Sequence, residues 1–162
     1  NVMNIGILAV PSDTISHHPY GIDLNGTTYY HDNITLQQND IIYINEFGNN
    51  ILQNASGRAD LDNDGNSDDW TVGPAGNIAW SMYMAHPYSF TDNNTTYYHE
   101  NPAIEQSSIL FYGAGDGAGS ARNVSGLYDI DNDGNLDDWY TDSIGRITFQ
   151  PNIFYKIGRA HV

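Results

Sequence analysis

Two acidic stretches contain the residues of this chain that are best suited to chemistry. In each stretch, carboxylates stand at positions 1, 3, 5 and 9 and glycine stands at position 6. This spacing gathers oxygen atoms in a tight loop, and Ca²⁺ takes about six to eight oxygen ligands. Without a cation, the carboxylates would repel one another. The expected ligands are Asp60, Asp62, Asp64, Asn66 and Asp68 in the first loop, and Asp129, Asp131, Asp133, Asn135 and Asp137 in the second, with each Asn binding through its backbone carbonyl.

The two loops belong to a longer internal repeat. The run His-Pro-Tyr at 18–20 recurs at 86–88, and Thr-Thr-Tyr-Tyr-His at 27–31 recurs at 95–99, both with an offset of 68. The acidic loops are offset by 69, from Asp60 to Asp129, so one residue is inserted upstream of them. The repeat predicts two tandem homologous units, 18–85 and 86–153, flanked by an N-terminal apolar segment at 1–17 and a C-terminal strand at 154–162.

The secondary structure is predicted to be all-β, with two sandwich-like units that each carry one calcium loop. Runs of β-branched and aromatic residues are bounded by Gly, Asn, Asp and Pro, which is typical of strands. No segment keeps an apolar period of 3.6 residues over three turns. A short helix is conceivable only at 36–44 and 103–110. The predicted strands are 27–31, 40–45, 70–72 and 78–84, and in the second unit 95–99, 108–112, 139–141 and 146–150.

The acidic loop and the residues that follow it resemble two known families. The run from Gly57 to Ile78 resembles the calcium loop and hairpin near the C-terminus of bacterial type IV pilins and pseudopilins. It is also similar to the calcium loops of integrin-type FG-GAP propellers. The resemblance implies an extracellular filament subunit that binds Ca²⁺. An EF-hand would need a bidentate Glu at position 12, where Thr71 and Tyr140 stand instead.

Composition excludes several classes of protein. The net charge is −15, with 20 acidic residues and only five Lys plus Arg, which argues against nucleic-acid binding and against anionic membranes. The absence of Cys excludes disulfides and thiolate metal sites. The apolar run at 2–10 is too short to span a bilayer, so no membrane span is expected.

Six Asn-x-Ser/Thr sequons predict N-linked glycans and therefore a secreted protein at an extracellular surface. Calcium loops also suit that compartment, where the ion is plentiful. Asn54 and Asn123 occupy equivalent repeat positions just before the acidic loops, which makes them the preferred glycosylation sites. The other sequons begin at Asn25, Asn33, Asn93 and Asn94.

No catalytic set is evident, so the chain is not expected to be an enzyme. Acids outside the loops are scattered, and there is no Gly-x-Ser-x-Gly motif or phosphate-binding glycine loop before a helix. His31 and His99 recur because the units are repeated, and they lack the spacing of a zinc site. Trp70 and Trp139 are expected to be strand residues that clamp the loops to the core, with sugar-binding platforms as the alternative.

The apolar N-terminal run supplies the sharper functional hypothesis. It could fold onto its own domain or add a strand to the sheet of a neighbouring copy, and the sequence leaves both open. We therefore expect a secreted, calcium-stabilised structural subunit that polymerises with itself into a pilus-like or surface filament. The alternatives are a calcium-dependent adhesion or carbohydrate-binding module and a secreted hydrolase with structural Ca²⁺. The candidate assembly residues are Val2, Ile5, Ile7, Leu8 and Val10.

Overall fold

The computed structural model describes Gly6 and residues 14–151. The regular structure of these residues is entirely β, with ten strands in four small sheets and no helix, which confirms the predicted all-β class. The segments considered for a short helix form turns and isolated bridges instead. The strands are β1 (Tyr20–Leu24), β2 (Thr27–His31), β3 (Ala55–Ala59), β4 (Asp68–Val72), β5 (Ile78–Met82), β6 (Tyr88–Asp92), β7 (Thr95–His99), β8 (Ser125–Tyr128), β9 (Asp137–Thr141) and β10 (Ile147–Pro151).

Each repeat begins with a β-hairpin whose two strands are joined by a two-residue loop. Strands β1 and β2 pair antiparallel with Leu24 opposite Thr27, and β6 and β7 pair in the same register with Asp92 opposite Thr95. The connecting residues, Asn25 with Gly26 and later Asn93 with Asn94, all have positive φ. Such φ values are typical of the type I′ turn, whose twist matches that of the paired strands, and Asn and Gly adopt them most readily.

A three-stranded sheet follows each hairpin, in the order β3-β4-β5 in the first repeat and β10-β9-β8 in the second. The central strands β4 and β9 alternate buried and exposed residues over their whole length. Because neighbouring side chains of a strand point to opposite faces, this alternation places Asp68 and Trp70 on one buried face of β4. It places Asp137 and Trp139 equivalently on β9.

Two of the predicted strands are wrong. Residues 40–45 and 108–112 take part only in isolated bridges, such as Tyr30 with Tyr43 and Tyr98 with Phe111. Their apolar residues resemble those of strands, but the chain turns away after one or two paired residues. The buried residues Ile42 and Leu110 serve as core contacts within these irregular segments.

The hydrogen bonds locate the extra residue of the second repeat. Ile44 N donates to Asn50 O at 2.7 Å, and Tyr112 N donates to Gly119 O at 2.9 Å. The two donors are 68 residues apart and the two acceptors are 69 apart. The insertion therefore lies between 112 and 119, within a stretch rich in glycine.

The internal contacts of the chain define two compact units. The first consists of Asn1–Gly57 and Trp70–Ala79, and the second of Arg58–Asp69 and Trp80–Val162. These units follow a different division from the sequence repeats, because the first acidic loop belongs to the second unit. The core of the second unit surrounds Trp139, whose ring meets Phe90 and Tyr97 edge-on at centroid distances of 5.7 and 5.2 Å.

Candidate metal centres

Each acidic loop joins two neighbouring strands of a three-stranded sheet, β3 to β4 and β8 to β9. The backbone of each loop enters the left-handed region twice, at Asn63 and Gly65 in the first and at Asn132 and Gly134 in the second. Only Gly, and less readily Asn or Asp, adopts this region at low cost. The Asn-Asp-Gly run is therefore the local reason for the tight turn.

Backbone amides point toward the carboxylates inside each loop. In the first, Gly65 N donates to Asp60 Oδ2 at 3.0 Å, while Asp64 N lies 3.2 Å from both Asp60 Oδ1 and Asp62 Oδ1. In the second, Gly134 N donates to Asp129 Oδ2 at 2.9 Å. Asp133 N lies 3.0 Å from Asp129 Oδ1 and 3.1 Å from Asp131 Oδ1. These bonds hold the carboxylates in one orientation in both repeats.

The loops bring three carboxylates together in each repeat. One oxygen from each of Asp60, Asp62 and Asp68 lies within 4.8 Å of the others, and the same holds for the second group. These are positions 1, 3 and 9 of the loop, and the two acidic triads could hold a metal ion. We call them the first triad (Asp60, Asp62, Asp68) and the second triad (Asp129, Asp131, Asp137).

The acids at position 5 lie outside the triads. Asp64 Oδ1 accepts from Asn66 N at 2.7 Å, and Asp133 Oδ1 accepts from Asn135 N at 2.8 Å. Asn135 also donates through Nδ2 to Asp133 at 3.0 Å. The ligand roles of Asp64 and Asp133, and of the carbonyl groups of Asn66 and Asn135, stay predictions.

The acids at position 9 are the buried members of the triads. Asp68 is 2% exposed and Asp137 is fully buried at 0%. Each accepts a loop amide, from Leu61 N at 2.8 Å and from Ile130 N at 2.9 Å. Desolvation raises the pKa of Asp68, and the nearby Asp62 and Asp64 charges add to the rise. A cation would therefore relieve an electrostatic cost that the fold imposes on this carboxylate.

Asp137 has one oxygen with no hydrogen-bond partner. Its Oδ2 accepts from Ile130, but its Oδ1 is buried and meets no donor among the residues that the structure describes. Leaving a buried acceptor unpaired costs about 1–3 kcal/mol, and more if the group is charged. Because Asp137 belongs to the second triad, a bound cation would supply the missing partner.

The first loop has a contact that the sequence did not reveal. Asp116 Oδ1 accepts from Ser67 N at 2.8 Å, and Gly117 N donates to Asn66 Oδ1 at 3.1 Å. The hydrogen bond from the Ser67 backbone is the main reason that the pKa of Asp116 is lowered. The one-residue insertion among the glycines of 113–119 was the only sequence signal of this contact.

Both loop tryptophans lie in the core. Trp70 and Trp139 are each 2% exposed, so neither presents an open ring face to a sugar. Trp139 Nε1 donates to Asp92 Oδ2 at 2.8 Å. Trp70 Nε1 has no hydrogen-bond partner within the described part of the chain.

The repeated histidines are buried and outside the triads. Burial lowers the pKa of His31 and of His99, and the hydrogen bond between His99 Nδ1 and the Asn101 carbonyl opposes the shift at His99. In residues 14–151, no group of three metal-ligating side chains includes either histidine.

The remaining predicted site residues divide into exposed and undescribed positions. All six sequon asparagines are exposed, and five of them have positive φ. The candidate assembly residues Val2, Ile5, Ile7, Leu8 and Val10 lie outside the described residues. Glycosylation and strand donation therefore stay predictions.

No known protein-family model matches this chain, and no curated protein or solved structure matches it either. Among the described residues there is no helix of the length and apolarity that crossing a membrane requires.

Proposed function

We propose that this chain is a calcium-binding extracellular β protein in which one Ca²⁺ stabilises each acidic loop. The observation that carries the proposal is the unpaired Oδ1 of the fully buried Asp137 within the second triad. The first triad repeats the same positions and the same backbone hydrogen bonds. Two bound Ca²⁺ would change the formal net charge from −15 to −11, reducing self-repulsion.

Calcium fits the chemistry of the donors better than other common metals. Carboxylate oxygens are hard ligands, whereas Zn²⁺ and Cu²⁺ favour Cys or His. The chain has no Cys, and the described triads contain no His. The flexible geometry of Ca²⁺ also tolerates carbonyl groups and water as further ligands, while Mg²⁺ demands a nearly ideal octahedron.

The proposed biological role is that of a structural subunit in a surface filament. This part rests on the sequence: the resemblance of the loops to pilin calcium loops, the sequons, and the apolar run at 2–10. Such a run can complete the sheet of a neighbouring copy through backbone hydrogen bonds. Calcium would then keep each subunit folded within the filament.

Electron microscopy of the full chain tests this role. With millimolar Ca²⁺ we expect filaments, and with EDTA we expect their loss. The matched variant is Ile7→Asp, which would place an unpaired charge in an apolar groove and should leave monomers that still bind Ca²⁺. Filaments of unchanged length from Ile7→Asp, or monomers from the unaltered chain in Ca²⁺, would refute the filament role.

A calcium-dependent binding module is the second candidate. The observation in its favour is a cleft of about 510 Å³ beside the second acidic loop, lined partly by Asp129 and Asp131 of the second triad. The ligand of such a module would bind in this cleft, because Trp70 and Trp139 are buried and cannot serve as sugar-binding platforms.

A further inference from the structure

The cleft beside the second acidic loop is lined by apolar side chains and by two carboxylates of the second triad. It has a volume of about 510 Å³, which is within the usual range of about 300–1,000 Å³ for small-molecule sites. Its lining comes from β6, β7, β8, the second loop and the segment after β7. The residues that matter here are Phe90, His99, Ile104, Tyr128, Asp129 and Asp131.

Two of the three carboxylates of the second triad line this cleft. Asp129 and Asp131 both belong to the lining and to the triad. A cation held between them and Asp137 would therefore lie at the wall of the cleft. Three carboxylates alone do not fill the coordination of Ca²⁺, which takes about six to eight oxygens. Ligand oxygens in the cleft could complete it.

His99 also lines this cleft and adds a hydrogen-bond acceptor to it. Its Nδ1 lies 2.8 Å from Asn101 O, and a carbonyl oxygen only accepts, so Nδ1 carries the proton. Burial lowers the pKa of this imidazole, which favours its neutral form. Nε2 then keeps its lone pair and can accept from a ligand hydroxyl.

The apolar part of the cleft lining comes from two aromatic rings and one isoleucine. The rings of Phe90 and Tyr128 lie 4.9 Å apart, with 32° between their planes, and Ile104 also lines the cleft. The partly exposed ring of Tyr128 suits the C–H face of a saturated ring, and the buried Phe90 supports it from the core. The chain carries a net charge of −15, and two bound Ca²⁺ would leave it at −11, so an anionic ligand would be repelled.

We propose that this cleft binds a neutral polyhydroxylated ring, the chemistry of a sugar, through Ca²⁺ at the second acidic loop. Ligand hydroxyl oxygens coordinate the ion, one hydroxyl donates to His99 Nε2, and the C–H face packs on the half-buried Tyr128. This proposal rests on the proposed calcium binding and names the ligand class of that site.

The test uses the full chain, labelled with ¹⁵N, and three probes: methyl α-mannoside, methyl β-galactoside and methyl α-fucoside. With saturating Ca²⁺, at least one glycoside should shift the amide signals of Tyr128, Asp129 and neighbouring residues. We expect a dissociation constant on the order of 1 mM. With EDTA the shifts should disappear while the amide signals keep the dispersion of a folded chain.

The matched variants are His99→Phe and His31→Phe, which alter equivalent positions of the two repeats. Losing one neutral hydrogen bond, at about 0.5–1.5 kcal/mol, weakens binding about 2- to 13-fold. His99→Phe should show this loss, and His31→Phe should bind the glycoside as the unaltered chain does.

The results separate two kinds of failure. A chain that binds two Ca²⁺ by calorimetry but none of the glycosides refutes the sugar site and leaves the proposed calcium binding intact. Equal glycoside shifts in Ca²⁺ and in EDTA also refute the sugar site. A chain that binds no Ca²⁺ refutes the proposed function and this inference with it.

Discussion

Replacing Asp92 with leucine tests how the second unit holds its central tryptophan. Asp92 is 9% exposed, and its Oδ2 accepts from Trp139 Nε1 at 2.8 Å and from Leu127 N at 3.0 Å. The equivalent residue of the first repeat is Leu24, which is 1% exposed. Asp92→Leu therefore gives the second repeat the residue that the first already tolerates.

The expected loss of stability in Asp92→Leu follows from the two hydrogen bonds that the carboxylate accepts. Each bond to a charged group contributes about 1.5–3 kcal/mol, so removing both costs about 3–6 kcal/mol. Burying a leucine side chain in the same place returns about 1.5–3 kcal/mol. The two ranges together span a net loss of about 0–4.5 kcal/mol, and their midpoints give a fall in the free energy of unfolding of about 2 kcal/mol. For a chain of this size a loss of about 2 kcal/mol should lower the melting temperature by about 4–8 °C.

A double-mutant cycle isolates the contact with the indole. Trp139→Phe removes the Nε1 donor but keeps a ring on the buried face of β9. Urea unfolding should show that Asp92→Leu with Trp139→Phe costs less than the sum of the single changes, because the orphaned donor is gone. If the two losses simply add, or if Asp92→Leu alone is as stable as the unaltered chain, the contribution assigned to this carboxylate is wrong.

Three further results are expected. Gly117→Ala places a Cβ against Gly65 O and should weaken Ca²⁺ binding at the first loop. The control Gly119→Ala, whose Cβ meets nothing within 4 Å, should leave Ca²⁺ binding unchanged. Equal calorimetric affinities of the two variants for Ca²⁺ would contradict this expectation. The pKa values of His31 and His99 lie below the ordinary 6.5 in the folded chain, so their contribution to stability should be complete above pH 6.5 and fall as pH drops through the lowered values. Urea midpoints that do not decrease between pH 7.5 and 5.5 would contradict it. Deleting residues 1–10 should give monomers in light scattering while calorimetry still finds Ca²⁺ binding, and persistent filaments would refute strand donation.

The all-β fold was predictable because its signals are local. The Asn-Gly and Asn-Asn turns are local signals of the hairpins, but the predicted strands include only the second strand of each hairpin, β2 and β7, and omit β1 and β6. The spacing of the acidic loops likewise indicated that Asp60, Asp62 and Asp68 would meet, since a tight turn brings positions 1, 3 and 9 together. The strand predictions failed at 40–45 and 108–112, where burial made short bridged segments as apolar as strands.

The contacts that the sequence did not reveal are those between distant segments. Asp116 meets Ser67 across 49 positions, and the insertion near Asp116 marks a difference between the repeats without indicating the partner. The cleft beside the second loop is assembled from several elements, so His99 could not be linked to Asp129 by spacing. The repeat gave no indication that Asp92 binds the tryptophan, because the equivalent residue of the first repeat is the apolar Leu24.

We infer that each acidic loop binds one Ca²⁺, and titration calorimetry of the full chain after EDTA treatment counts the sites. We expect two sites, with one remaining in Asp68→Asn and one in Asp137→Asn, while Glu105→Gln, an exposed acid outside both loops, keeps two. Each site should also stabilise the fold by about 2.7 kcal/mol at a hundredfold excess over the dissociation constant. Zero sites in the unaltered chain, or two sites in either Asp variant, would contradict the claim.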